Sequence, residues 1–341
     1  MITRSTSMKT LGRALFFAAL LSGVAHADTR SIESQCDASA GSRHDRTRNP
    51  VFAPVALEDI KVGPALSACR EAYNAGGSAR MAFQLGRALE RAGQDLEAMK
   101  LYAQAASLGH TVAMINYGGM LGKRGDPVGE FGHYSKAAEL GDMLGAYNLA
   151  VAYRDGIGTK IDGGQAVRWF DKAAAGGDET ATFNLGVLFD DGSLVAEDNA
   201  RAAAFYRLAA EGGNVDAMIN LGLMLEAGEG VSQDLPAAAR YFGQAAERGD
   251  SYGKLKLGLM QQSGTGIVRN IEQAVNSLVA AFEMRDVDLE VILRDQPEQL
   301  SADARLAIKQ VLAKRDLIDD AENAEIDPIT LGAIEKHYAR Q

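Results

Sequence analysis

The sequence predicts an all-α protein in which repeated helix hairpins stack as an α-solenoid. The first observation is self-similarity, because residues 143–250 form three consecutive lines of 36 residues that nearly superimpose. Such a period is typical of a repeat array. The second is that each line contains two stretches with helically spaced apolar residues, and each stretch ends at a glycine. The third is that the first stretch is apolar on two faces, which implies packing within the repeat and against a neighbour.

Recurring columns of residues define the repeat. A Leu is followed by Ala or Gly, then come a Gly, an Asp, an Ala and an aromatic pair, and the line closes on Ala-Ala and Gly. In chain order the columns are Leu149, Leu185 and Leu221; Gly156, Gly192 and Gly228; Asp162, Asp198 and Asp234; Ala166, Ala202 and Ala238; and Trp169-Phe170, Phe205-Tyr206 and Tyr241-Phe242.

This pattern, with Asn before Leu-Gly and a Gly-x-Gly turn, resembles the SEL-1-like repeat (SLR) family, relatives of the tetratricopeptide repeats. The resemblance implies an all-α superhelix used for protein–protein contacts, often in bacterial envelope or signalling systems. The fold that we expect is a right-handed α-solenoid of about six helix hairpins with N- and C-terminal helical caps.

Residues 1–27 are typical of a secretory signal peptide. Arg4, Lys9 and Arg13 precede an apolar core at 14–24, and Ala-His-Ala at 25–27 is a small-x-small cleavage site. The apolar run of about 11 residues is shorter than the roughly 20 that span a bilayer. We therefore expect an exported protein, periplasmic or secreted, with no transmembrane segment after cleavage; a bacterial periplasm fits best.

Charge argues against one class of partner. The net charge of −10 becomes −13 when the three basic residues of the signal peptide are removed. Nucleic acid would be repelled by such a surface, so we expect no nucleic-acid partner.

Residues 28–77 precede the repeats and contain both cysteines, Cys36 and Cys69. An oxidising compartment favours a disulfide between them, with free thiols or intermolecular pairing as alternatives. The segment is expected to be irregular up to Pro54, with a capping helix at 65–75. A disulfide at Cys69 would attach the irregular arm to that cap.

The repeat array is expected at 78–286. Its first two repeats are shorter than the later ones, because the inter-helix turn is reduced to Gly-Gln-Asp at 93–95 and to Gly-Asp-Pro at 125–127. The sixth repeat (251–286) loses the aromatic column to Ser277. Atypical terminal repeats are expected of a capped solenoid.

A C-terminal helical cap is expected at 287–341. It comprises a helical piece at 287–294, a helix at 302–315 capped by Ser301, and a last helix that begins at Asp327-Pro328 and extends to Arg340. This tail also faintly resembles a peptidoglycan-binding helical motif, but it lacks that motif's turn glycines. Wall binding therefore remains the alternative to a plain cap.

The candidate catalytic motifs are better explained as structure. The Gly-x-Gly turns follow no strand and do not continue to Gly-Lys-Ser/Thr, so they are not phosphate loops. The repeated aspartates are expected to cap turns. Neither the histidines (His26, His44, His110, His133 and His337) nor the cysteines show metal-ligand or catalytic spacing. We expect no enzyme activity, no cofactor and no metal.

The remaining candidate site is a surface on the first helices of the repeats. An Asn column and acidic neighbours lie between the two apolar faces of the first helices, the side that lines the concave groove in tetratricopeptide-like solenoids. We hypothesise that this groove binds partner backbone, since an amide both donates and accepts. The alternative is that Asn before Leu-Gly is a consensus residue of the family that holds the hairpin together. The candidate residues are Asn116, Asn148, Asn184, Asn220, Asp155, Asp191 and Asp216.

The function expected from these patterns is a non-enzymatic exported module that binds and regulates a protein partner in the cell envelope. The alternative is a peptidoglycan-associated envelope protein that uses its C-terminal helices to hold the cell wall.

Overall fold

A computed structural model describes residues 31–284, 292, 297–319, 321–328 and 330–332. The secondary structure of these residues is helical, with turns between the helices. The chain divides into two compact units, one ending at Lys172 and the other starting at Ala173. The expected signal peptide, and most of the expected helical piece at 287–294 and of the last helix, lie outside the described residues.

The first unit starts with helical residues 31–40 (α1), which we expected to be irregular. Cys36 and Ala40 on this helix are fully buried, so tertiary packing outweighs its polar composition. From α2 to α7, each helix packs on the next. The helices are α2 (Val62–Gly76), α3 (Ala79–Arg91), α4 (Asp95–Ser107), α5 (Thr111–Lys123), α6 (Pro127–Glu139), α7 (Met143–Asp155) and α8 (Gly163–Ala175), the last of which crosses the division.

The second unit continues the same arrangement. Consecutive hairpins pack in series, as expected for an α-solenoid. Its helices are α9 (Glu179–Asp191), α10 (Asn199–Gly212), α11 (Val215–Ala227), α12 (Leu235–Glu247), α13 (Ser251–Ser263), α14 (Ile271–Glu283) and α15 (Ala302–Lys314).

Side-chain caps fix where the helices begin. The aspartates that the sequence places in the inter-helix turn start the second helix of each hairpin: Asp162, Asp198 and Asp234 accept the backbone N–H three residues on, at 2.9, 3.0 and 2.9 Å. The predicted capping role is therefore confirmed for these three residues.

Glycine lets the two helices of a hairpin approach closely. A Cβ at Gly222 of α11 would lie 2.7 Å from the ring of Phe242 in α12, and one at Gly186 would lie 2.6 Å from the ring of Tyr206. Both rings are almost fully buried. The glycine after the repeat's Leu and the aromatic column are thus the two sides of one contact.

The second glycine of the Gly-x-Gly turn contacts the preceding hairpin. Gly230 has φ +65°, and a Cβ there would lie 2.3 Å from the carbonyl of Asn199 at the start of α10. Gly266 makes the same approach to Leu235 at the start of α12. These turns therefore belong to the junction between successive repeats.

The described part of the C-terminal tail packs on the last hairpin. Ser301 caps α15 by accepting the N–H of Ala304 at 3.2 Å, and Ile308 and Leu312 of α15 share a buried core with Leu278 of α14. These apolar side chains of α15 are therefore covered by the last hairpin.

Candidate functional site

The leader segment, residues 31–60, lies across one side of α3, where Gln84 and Arg87 are buried. Arg80 Nη2 donates to Glu33 Oε2 at 2.6 Å, and Gln84 Nε2 donates to Asp37 Oδ1 at 2.6 Å. The α3 residues that contact the leader lie at helical spacing on one face: Arg80, Gln84, Arg87 and Arg91. We name this face, together with the equivalent face on the first helix of each later repeat, the first-helix face. This face of the first repeat therefore already binds polypeptide, namely the protein's own N-terminal segment.

Arginine side chains bind the leader backbone directly. Arg87 donates one N–H to the carbonyl of Ala40 and another to the carbonyl of Val55, the latter at 2.7 Å. Arg91 Nε donates to the carbonyl of Glu58 at 3.1 Å. Burial lowers the pKa of Arg87, although nearby carboxylates oppose that shift. Arg87 thus fixes two points of the leader that are distant from each other in sequence.

A disulfide attaches the leader covalently. It joins Cys36 of α1 to Cys69 of α2, and both residues are fully buried. Of the pairings left open by the sequence, the intramolecular one is therefore the one observed.

A second attachment involves His110, which caps α5. Its Nδ1 accepts the N–H of Ala113 at 3.2 Å, so the proton of the neutral ring lies on Nε2, 3.4 Å from Asp45 Oδ1 of the leader. Burial raises the pKa of Asp45, but His110 and Thr47 outweigh it, and the net pKa is lowered. The stability that this carboxylate contributes is therefore present at neutral pH and lost as pH falls through its folded-state pKa.

We expect His110→Asp to release this part of the leader. Asp caps α7 and α13 at the equivalent positions, so the helix start survives, but a second carboxylate would lie close to the buried Asp45. The expected cost is about 2–3 kcal/mol of unfolding free energy. Urea denaturation measures this cost. Tryptic cleavage after the exposed Arg43 and Arg46 should also become faster.

The matched control is Asn214→Asp, which makes an equivalent cap change on α11, far from the leader in sequence. It should change stability by less than about 0.5 kcal/mol. Equal effects of the two variants, or unchanged tryptic protection in His110→Asp, would show that Asp45 does not depend on His110.

Beside the leader lies a cavity of about 460 Å³ in the first unit. It is lined by the leader at residues 42–44 and 55–58, by Arg87 and Glu90 of α3, and by α5 with Leu144 of α7. Asn116, one of the predicted partner-binding residues, lines this cavity.

The Asn column also contacts the preceding hairpin. Asn116 lies beside the hydroxyl of Tyr102, and Asn220 lies beside that of Tyr206; each amide acts to lower the pKa of its neighbouring hydroxyl. Each hydroxyl donates in turn to a carboxylate of its own hairpin, Tyr102 to Glu90 Oε2 at 2.6 Å and Tyr206 to Asp190 Oδ2 at 2.9 Å. Burial, followed by Glu90, raises the pKa of Tyr102, and burial and Asp190 likewise raise that of Tyr206. Asn116 and Asn220 thus lie at contacts between neighbouring repeats.

The other predicted side chains are distributed between the two units. Asn148 is half-buried on α7, and Asn184 Nδ2 donates to the carbonyl of Thr180 on α9 at 2.8 Å. Asp155, Asp191 and Asp216 are exposed. The hydrogen bond from Arg154 lowers the pKa of Asp155, and Asp191 accepts from Ser193. The first unit contains Asn116, Asn148 and Asp155, and the second contains Asn184, Asn220, Asp191 and Asp216.

Sequence reasoning missed the residues that bind the leader. One available signal was Gln84, which precedes Leu85-Gly86 and so occupies the first repeat's position in the Asn column. Another was His110, where the later repeats have Asp or Asn as cap. Both departures from the repeat mark places where the leader is bound.

The described residues lack two other features, a metal-binding cluster and a membrane-spanning helix. They contain no group of three or more His, Cys, Asp or Glu side chains arranged to bind a metal ion. None of the helices described is both long enough and apolar enough to cross a membrane.

Comparison with solved structures shows the same fold. A protective antigen of uropathogenic Escherichia coli that displays an SLR fold is 25% identical with a TM-score of 0.65, over 81% of this chain and 56% of that chain. A Sel1 repeat protein from Oxalobacter formigenes is 22% identical with a TM-score of 0.58, over 75% of this chain and 98% of that one. This chain thus spans just over half the length of the antigen. No curated protein matches the chain.

The family model for the Sel1 repeat matches six segments, which together cover more than half of the chain: residues 72–110, 111–142, 144–178, 180–214, 215–250 and 251–276. Proteins with this repeat generally mediate protein–protein interaction as non-catalytic scaffolds. The resemblance identified from the repeat columns is confirmed, and the chain belongs to the Sel1 repeat family.

Proposed function

We propose that this protein is exported to the bacterial cell envelope, where it binds a protein partner through its first-helix face and regulates it. The observation that carries the proposal is the leader on α3, because side chains at that register already bind polypeptide backbone. The equivalent registers recur on α5 and α7 in the first unit, and on α9, α11 and α13 in the second.

Export is supported by two features. Residues 1–27 have the composition of a signal peptide, and the buried disulfide between Cys36 and Cys69 suits an oxidising compartment. Regulation is the role that a non-catalytic binding module would have. Its specificity would come from side chains along the first helices.

In-cell photo-crosslinking tests the proposal. A photoreactive residue placed at Asp155, Asp191 or Asp216, all exposed on first helices, is expected to give adducts with the same partner protein. Matched controls at the exposed Lys100 and Arg240, which lie on second helices, should give none. Mass spectrometry of the adduct should show a mature chain that begins at Asp28.

Equal adducts from first- and second-helix positions would contradict the assignment of the binding face. A chain that retains residues 1–27 and stays in the cytoplasm would contradict the envelope location. The two parts of the proposal therefore fail separately.

A further inference from the structure

The cavity beside the leader lies on the first-helix face of the second repeat. The four residues of α3 that bind the leader have counterparts one repeat later on α5, and all four counterparts line the cavity: Val112, Asn116, Gly119 and Lys123. The register that is covered by the protein's own segment in the first repeat is therefore open to a ligand in the second.

Part of the inner surface of this cavity is apolar. Val112, Ile115 and Met120 of α5 are buried in the fold but still line it, and Val55 and Leu57 of the leader add aliphatic surface opposite. A volume of about 460 Å³ lies within the range of roughly 300–1,000 Å³ that is typical of sites for small ligands. The space therefore suits apolar side chains of a short peptide segment.

The charged side chains that line the cavity differ in whether they have partners within the fold. Arg87 is buried, and Glu90, which accepts from Tyr102, helps to stabilise its charge. Arg43, Lys123 and Glu58 are exposed, and none of these three side chains has a hydrogen bond or ion pair with another described residue. The exposed charge of the lining, two cations against one carboxylate, is therefore net positive.

The surrounding unit would not repel an acidic ligand. Residues 28–172 contain 17 basic and 17 acidic residues, whereas residues 173–341 contain 15 basic and 28 acidic residues. The acidity of the chain thus lies in the second unit, and the cations of the cavity lie in the neutral first unit.

We propose that this cavity is the anchor site for an extended peptide segment of the partner protein, which places an apolar side chain against α5 and an acidic side chain at Arg43 and Lys123. The inference rests on the proposed function and names the chemistry of the partner. The leader forms one wall of the site, so the disulfide that attaches the leader also fixes the shape of the site. Glycine at 119, where α3 has Arg87, leaves room for the peptide.

The test is selection of random displayed peptides, fused at their C-termini, on the full mature chain with its disulfide intact. The expected result is enrichment of peptides in which Asp or Glu neighbours an apolar residue, with binding that weakens as salt increases. Arg43→Ser/Lys123→Ser should weaken the enriched peptides about tenfold, since two partly exposed charge contacts are lost. Circular dichroism verifies that the variant remains helical.

Arg46→Ser/Arg124→Ser is the matched control. It removes the same two positive charges from exposed positions next to the cavity that do not line it, and binding should change by less than about twofold. Equal loss in both double variants would show a general charge effect and overturn the site.

Enrichment of basic peptides or absence of any enriched peptide would also overturn this inference. The proposed function would survive each of these results if crosslinks to the partner still formed at Asp191 and Asp216 of the second unit. Failure of the anchor site and failure of the binding function are therefore distinguishable.

Discussion

Replacing Gly230 with alanine should destabilise the second unit by about 2–5 kcal/mol. The residue has φ +65°, a conformation that costs an L-residue roughly 1–2 kcal/mol. A Cβ there would also lie 2.3 Å from the carbonyl of Asn199, which belongs to a helix start and cannot move aside as a flexible side chain would. Relief of that overlap adds roughly 1–3 kcal/mol. Urea denaturation of the purified chain, followed by circular dichroism, measures the difference.

Gly249→Ala separates the two causes. Gly249 has φ +90°, and nothing lies within 4 Å of a Cβ placed there. This variant should therefore show the conformational cost alone, about 1–2 kcal/mol. If both substitutions cost the same, the contact between Gly230 and Asn199 contributes nothing, and the junction between repeats depends on the helix faces alone.

Removing the disulfide as Cys36→Ala/Cys69→Ala should cost about 3–4 kcal/mol. The bond closes a chain segment with a separation of 33 residues, and its loss restores that freedom to the unfolded state. Alanine avoids placing a hydroxyl at these fully buried positions. Denaturation with and without reductant is the measurement: the wild type should lose stability on reduction, and the double variant should be insensitive to it.

Tryptic cleavage after Arg43 and Arg46 reports whether the leader stays in place in that variant. We expect cleavage to be faster, because only noncovalent contacts such as those of Arg87 and Arg91 then remain. A loss of stability below about 1 kcal/mol with unchanged cleavage would mean that these contacts alone fix the leader.

The repeats could be predicted from the sequence because their contacts recur. Gly222 against Phe242 and the cap at Asp234 each belong to a column, and a column shows both the position and the residue type that the contact needs. The glycine after Leu and the aromatic pair were therefore recognisable before their partners were known.

The leader could not be predicted in the same way. Its contacts join residues that are distant in sequence, and each occurs once, as between Arg87 and the carbonyls of Ala40 and Val55. Backbone carbonyls carry no sequence signal. The Asn column shows a related limit: periodicity places Asn220 on a defined side of α11, but its proximity to Tyr206 depends on tertiary packing.

The glycine junctions bear on how such a chain can lengthen. The line at 215–250 contributes Gly230, which approaches the preceding hairpin, and also Leu235, which Gly266 of the following line approaches. Each repeat of this kind thus supplies one side of the junction with the preceding repeat and one side of the junction with the following repeat. A tandem duplication of the corresponding DNA would insert a unit that already fits both neighbours, so the array can grow during evolution without inventing a new contact.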